Sequence, residues 1–534
     1  MHRVLLACLV AATVVVGVVW GTMAVGGSDS YGYVSQSELL LHGRITVPQP
    51  WAMNVPWPRG PATFTPLGYT RTEDETALAP TYPPGLPLLM ATAKLIAGHC
   101  ATFWVVPIAG GVLILATYGL GRRVLSRGPA LAAAWLAATS PIVLFMVTAP
   151  MSDIPAAAAW ATSLWLATAR ESRRPALTSV LAGVAAGVAV LIRPNLLPAA
   201  VPIVLWYGWT AWRDTQARRT NLLRGVLYGV GLSVGVLGQL AVNWLVHHSL
   251  IHTGYGPIEE VFSFANFPLN ARHYATWFAS TQTPLALAGL VALAVPAAWM
   301  WPQARDRSVV VLLGLFAADI WLQYCLYTPF DAWWYLRFLV PCWPVLMIGL
   351  AQALFRFFQA DGRARLVPIV LAVVLGVNGV RVANDLNTFT AWLGESRYAA
   401  VAGIVRGVTE PQSIIFSMQH SGSIRYYSGR QTLNFVNLED EWLDRAVAWL
   451  NEHGAHPYAA LEEWEVAEFK RRFARDNAAG RLEMSPMFVY QGGATVYLYD
   501  LLQAPGMKES GIITEKGQHA RCVKPAILEI PPFK

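Results

Sequence analysis

Charged residues are scarce in this chain: Asp, Glu, Lys and Arg supply 13% of its 534 residues, against about a quarter in a soluble globular domain. With 55% hydrophobic residues and a mean hydropathy of +0.40, that scarcity excludes an ordinary soluble protein and points to a membrane protein. Cysteine is scarce too. Cys8, Cys100, Cys325, Cys342 and Cys522 show no Cys-x-x-Cys pair and no Cys/His metal spacing. At least three fall in or beside apolar segments, where a thiol behaves as a small hydrophobe, so cysteine usage does not fix a redox compartment. Internal repeats and low-complexity tracts are absent. A polytopic transporter or lipid flippase should show inverted repeats and mid-membrane charges; this chain has one such charge, Asp319, and no repeat. The net charge of +7 implies no nucleic-acid partner, because the basic residues lie between apolar runs and form no single patch.

What is present is a series of long apolar runs. The first, 4–25, follows Met1-His2-Arg3 and exceeds the 7–15 residues of a signal-peptide core, roughly matching the ~20 needed to cross a bilayer. It reads as a transmembrane helix with a cytoplasmic N-terminus. Others follow at 102–121, 130–147, 154–169, 177–191, 196–212, 226–246, 284–301, 308–327, 336–355 and 366–382, about eleven spans in all. Alternate connections hold sixteen arginines on one side against three (Arg193, Arg272 and Arg337) in the short loops of the other. By the positive-inside rule the arginine-rich side is cytoplasmic. The apolar segment 84–98 contains Lys94 and would reverse every later loop if it crossed, so it reads as an interfacial helix. The first outer loop then spans 26–101.

The expected organisation is a membrane domain, 1–383, an extracytoplasmic α/β domain, 384–505, and a loosely structured tail, 506–534. In the second, helices are expected at 395–406 and 438–453 and strands at 413–417, 432–435, 458–461 and 495–499. The multi-pass chain would sit in a plasma (inner) membrane.

Two aspartates emerge at outer ends of spans. Asp29 stands in Gly27-Ser28-Asp29-Ser30-Tyr31, and Asp153 in Met151-Ser152-Asp153-Ile154-Pro155. Each can be a helix cap; Asp29 would cap a helix running to about Leu41. Their common face also holds Arg193, in Ile192-Arg193-Pro194-Asn195, and Arg337, after Trp333-Trp334-Tyr335-Leu336. An outer arginine can snorkel at the interface or grip a phosphate. Two arginines with two carboxylates suit phosphate departure: the guanidinium groups hold the leaving group while a carboxylate takes a proton from an incoming hydroxyl.

The order of these features resembles the GT-C superfamily of integral-membrane glycosyltransferases. Within it the chain is most similar to glycosyltransferase family 39, the protein O-mannosyltransferases and aminoarabinose transferases. The matching elements are Asp29 with Tyr31, the Tyr82-Pro83-Pro84-Gly85 turn, Asp153, Ile192-Arg193-Pro194-Asn195 and Arg337-Phe338-Leu339-Val340-Pro341. Two positions depart: Tyr31 stands where an Asp-x-Asp or Asp-x-Glu would put its second acid, and Pro83 where the aminoarabinose transferases place a lysine.

The resemblance implies a GT-C fold and inverting sugar transfer from a polyprenyl-phosphate donor to a protein, lipid or glycan acceptor. Asp29 would be the general base and Asp153 a second acid. Tyr31, Tyr82, Arg193, Asn195, Arg337, Trp333 and Trp334 would bind substrate, and membrane lipids would surround the whole. The pattern leaves room for a divalent metal ion, with Asp29 and Asp153 as its ligands, and needs no other cofactor. His247, His248 and His252, followed by Glu259 and Glu260, could form a zinc site, though their spacing matches no standard signature. Asp319 would pair with a neighbouring helix. His420-Ser421-Gly422-Ser423 and Tyr426-Tyr427 read as a strand–helix packing unit.

Overall fold

A computed structural model describes residues 1–358, 366–503, 511–513 and 521–526. It shows a polytopic helical protein with a sheet-containing C-terminal region. Among the described residues seven helices are long and apolar enough to cross a membrane: His2–Val19, His99–Val124, Pro175–Ile192, Arg218–His247, Arg307–Cys325, Trp333–Phe357 and Val367–Asp385. Two bent pairs raise the number to nine: Arg127–Ala138 with Pro141–Val147, at 59°, and Phe264–Gln282 with Pro284–Ala294, at 114°. Each break falls at a proline, which cannot donate the helical hydrogen bond and crowds the preceding turn.

Fewer helices pass than the eleven apolar runs suggest. Asp153–Ala167 and Ala200–Arg213 have only 15 and 14 residues, short of the ~20 of a straight crossing. The expected span 284–301 is instead three short pieces, Pro284–Ala286, Leu287–Ala294 and Ala297–Met300, with Pro296 at the second break. Among the described residues Asp319 has no ion pair with a neighbouring helix; Gln323, one turn on in its own helix, donates to it at 2.5 Å.

Close helix packing sets the site's frame. Pro175–Ile192 crosses Arg218–His247 through Gly183 and Gly187 on one side and Gly231 and Gly235 on the other. A Cβ on Gly235 would lie 1.9 Å from the Gly187 carbonyl oxygen. Small residues four apart on both helices allow this backbone contact, which lipid-embedded helices use in place of a hydrophobic drive. The crossing fixes the end of Pro175–Ile192, from which Arg193 emerges.

Two of the arginine-rich connections meet in the fold. Arg170 pairs with Asp306 and Arg305 with Glu171, both at 3.0 Å, so two arginine-rich connections lie side by side. The first outer loop carries the helix Asp29–Leu41, a three-stranded antiparallel sheet and the apolar helix Gly85–Ala97. In that sheet, Ala77–Pro80 is central between Val47–Pro48 and Tyr69–Arg71.

The C-terminal region contains a six-stranded mixed sheet in the order Gln431–Leu433, Ile414–Phe416, Pro457–Glu462, Ala494–Asp500, Phe488–Gly492, Gly511–Ile513. The expected helix 395–406 is Arg397–Val408, and the one at 438–453 is Leu443–Glu452 after a short 3-10 turn. The helix Glu463–Phe473 and the strand Phe488–Gly492 are additions that local pattern did not show. His420 precedes a helix, Ser421–Ser428, whose Arg425 donates to the Phe64 carbonyl at 2.6 Å and to Thr432, joining this region to the first outer loop. Most of the expected loose tail, 506–534, lies outside the described residues; Gly511–Ile513 pairs in parallel with the strand Phe488–Gly492.

Candidate active site

Asp29 opens the helix Asp29–Leu41. The helical period puts Tyr33 one turn on along the same face and Tyr31 away from it. Tyr82 leaves the central strand of the outer-loop sheet, and its hydroxyl donates to Asp29 Oδ1 at 2.6 Å while its ring lies 4.5 Å from that of Tyr33. Arg337 Nη2 meets Asp29 Oδ2 at 3.0 Å. Arg337 also contacts Met151 Sδ at 2.7 Å and lies over the rings of Tyr335 and Phe338. Its buried Nε has no hydrogen-bond partner among the described residues.

The second pair mirrors the first. Asp153, only 1% exposed, faces Arg193 Nη2 at 3.0 Å. Arg193 Nε donates to Ser152 Oγ at 3.1 Å, and the Tyr33 hydroxyl donates to that same oxygen at 2.9 Å. Arg193 Nη1 and Asn195 Nδ2 both donate to the Tyr324 hydroxyl, at 3.2 and 3.0 Å. The Phe338 ring carries both guanidinium groups, Arg193 at 5.3 Å and Arg337 at 5.4 Å. A single aromatic ring therefore serves two cations that would otherwise repel.

Both pairs line one cavity of about 1060 Å³, at the upper end of the size of small-molecule sites. Part of its wall is apolar, formed by Phe145, Met146, Leu197, Pro198, Val236 and Leu240, and Glu395 and Tyr398 of the C-terminal region complete it. Burial works to raise the Asp29 carboxyl, but Arg337, the Tyr82 hydrogen bond and the charge of Arg193 outweigh it and hold Asp29 below its ordinary range. Burial and the Asp29 charge push the Tyr82 hydroxyl well above its usual value. It stays protonated and remains a donor.

Of the residues singled out in the sequence, Asp29, Asp153, Tyr82, Arg193, Asn195, Arg337 and Trp334 all line this cavity. Tyr31 does not: its ring packs 5.3 Å from Tyr69 and closes on Gly422. Trp333 also lies off the wall, edge-on to Phe145 at 5.0 Å. Tyr33, Ser152, Tyr324 and Phe338 were missed. Tyr33 was findable, because it stands four residues after Asp29, and so were Ser152 and Phe338, which adjoin Asp153 and Arg337 in their motifs; Tyr324 is brought in by tertiary packing.

Neither aspartate fits a metal. Each faces a guanidinium at 3.0 Å, and no three His, Cys, Asp or Glu side chains converge among the described residues, the 247–260 cluster included. Such a donor set, already compensated by fixed cations, offers a divalent ion no cage.

Residues 81–237 match the family model described as dolichyl-phosphate-mannose-protein mannosyltransferase. Among solved structures the chain is similar to the Archaeoglobus fulgidus oligosaccharyltransferase AglB in complex with an inhibitory peptide and a dolichol-phosphate. The two are 13% identical over 93% of this chain and 74% of that one, with a TM-score of 0.56. The Archaeoglobus fulgidus oligosaccharyltransferase in complex with Zn and sulfate gives 15% identity, 93% and 73% coverage and a TM-score of 0.59. ArnT from Cupriavidus metallidurans bound to undecaprenyl phosphate is 13% identical over 94% of this chain and 99% of that one, with a TM-score of 0.52. No curated protein sequence matches the chain. The GT-C resemblance read in the sequence therefore holds at the level of fold.

Proposed function

We propose that this protein is an inverting glycosyltransferase that moves a sugar from a polyprenyl-phosphate donor to an acceptor hydroxyl at the outer membrane face. One observation carries the reading: two aspartate–arginine pairs, drawn from four separate parts of the chain, share a cavity with an apolar wall. Two similar folds were solved with dolichol-phosphate and undecaprenyl phosphate, donor-type lipids with an anionic head and an isoprenoid chain.

In this reading the donor phosphate seats at Arg193 and Arg337, and the first isoprene units run along Leu197, Val236 and Leu240. Asp29 faces the acceptor hydroxyl. Tyr82 and Arg337 each occupy one lone pair of its two oxygens, and a carboxylate has about four such sites, so either oxygen can still take a proton. The acceptor oxygen attacks the anomeric carbon opposite the phosphate. The C1–O bond breaks with its electron pair on the phosphate oxygen, and the hydroxyl proton passes to Asp29. The configuration inverts. The leaving phosphate gains charge where two guanidinium groups already stand, so they stabilise the transition state more than the ground state. Asp153 acts through Arg193, setting its orientation.

The test is turnover of a panel of polyprenyl-phosphate sugars by the purified, lipid-reconstituted protein, with Asp29→Asn and Asp153→Asn beside wild type. One donor should be consumed, and Asp29→Asn should lower the rate by ~10²–10⁴, the usual contribution of a general base. Full activity in Asp29→Asn would sink the assignment. Absence of both donor binding and turnover would put a transporter or a scaffold first.

A further inference from the structure

Two thiols that the proposed reaction does not use meet beside the first span. Cys100 lies at the start of His99–Val124, where the first outer loop ends. Cys522 belongs to the short described segment 521–526. Burial and, next, a hydrogen bond with the Cys100 thiol push the Cys522 thiol up, and Cys522 Sγ lies 3.4 Å from Met23 Sδ.

The backbone around both is pinned. Cys522 N donates to the Met23 carbonyl at 3.2 Å, and Ala526 N to the Tyr426 carbonyl at 2.7 Å. The neighbours of the two cysteines also touch, His99 Nε2 lying 3.0 Å from the Val523 carbonyl. Cys522 has φ +57°, a left-handed conformation that a non-glycine residue keeps only when its surroundings hold it. Both cysteines are half-buried, so neither is sealed from a reagent. All five cysteines are unbonded in the structure; of the other three, Cys325 and Cys342 are buried and Cys8 is exposed.

We infer that Cys100 and Cys522 form a disulfide that fastens the C-terminal segment to the start of His99–Val124, beside the outer end of the first span. The inference rests on the outer placement of this face, because extracytoplasmic compartments oxidise thiols and the cytosol keeps them reduced. The oxidant is a disulfide-bearing thiol oxidase of that compartment. One cysteine thiolate attacks its disulfide and gives a mixed disulfide; the second cysteine displaces the oxidant's remaining sulfur. Two S–H bonds are lost and one S–S bond is gained, and the two electrons and two protons leave on the oxidant as a dithiol. The staple would hold Cys522 against Met23, six residues before Asp29, so it steadies the stretch that leads into the proposed catalytic helix.

The test uses the full-length protein made in cells with an oxidising outer compartment, quenched with acid, unfolded in detergent and alkylated with a mass-tagged maleimide. Wild type should take three tags before reduction and all five after it. Cys522→Ser should take four tags in both states, because its former partner becomes free. Non-reducing peptide mass spectrometry should find Cys100 and Cys522 in one linked pair. Five tags before reduction, or a linked pair without these two residues, overturns the inference. Neither result bears on sugar transfer, which the donor assay judges separately.

Discussion

At the residue scale, Asp29 is useful only as a carboxylate, and its neighbours are arranged to keep it one. Its lowered pKa means that the ionised form persists at low pH and is lost only as pH falls through that value. The acid limb of kcat/KM should therefore lie below the ordinary carboxylate range of about 4. Tyr82→Phe removes the 2.6 Å hydrogen bond to Asp29 Oδ1. A hydrogen bond to a charged group contributes ~1.5–3 kcal/mol, so the limb should move up by about one to two pH units. Tyr33→Phe is the contrast, because that hydroxyl serves Ser152 and not Asp29. A limb that stays put in Tyr82→Phe would mean that Asp29 is not the titrating group. Asp29 and Tyr82 were legible in the sequence because each stands in a short motif. Tyr31 was misread because, two positions on, it points to the other side of the helix.

At the element scale, the Tyr82 turn is held by the crossing of Gly85–Ala97 with the end of Pro175–Ile192. A Cβ on Gly85 would lie 2.5 Å from both the Ile192 nitrogen and the Leu191 carbonyl carbon. Those are backbone atoms that cannot give way. Gly85→Ala should cost about 1–3 kcal/mol of stability through overpacking. It should also push Tyr82 off Asp29, so thermal unfolding and the acid limb should shift together. Gly128→Ala, where nothing lies within 4 Å, should change neither. A Gly85→Ala protein with normal melting and an unmoved limb would refute the crossing's role. Long apolar runs made the spans readable, and the prolines marked where helices could break. How far each broke was not readable, since the 59° and 114° bends depend on what each half packs against. The strand Phe488–Gly492 escaped notice because its polar end, Gln491-Gly492, spoils the alternation.

At the scale of the whole molecule, the C-terminal region presses on the loop that carries Asp29. A Cβ on Gly26 would lie 2.0 Å from the Tyr398 ring, and Val25 N donates to the Tyr427 hydroxyl at 2.8 Å. Tyr398 is itself fixed, its hydroxyl taking Gln419 Nε2 at 2.6 Å and Arg397 Nη2 at 3.0 Å. The change of composition near residue 384 told where this region begins, but a contact between residues 26 and 398 has no local signature. Two roles are then separable. If the region only recruits acceptor, removing the Tyr398 ring should raise KM for acceptor and leave donor hydrolysis in water unchanged. If it clamps the loop before Asp29, donor hydrolysis should fall as well, because the base is no longer held in place. The packing argues for the clamp: Tyr398→Ala empties a space about the size of an aromatic ring, a change that commonly costs ~3–5 kcal/mol in a core, directly against Gly26. Tyr398→Ala should therefore lower kcat for both transfer and hydrolysis, and Tyr398→Phe, which keeps the ring, should retain most of each. Hydrolysis at the wild-type rate in a folded Tyr398→Ala protein would assign the region to acceptor capture alone.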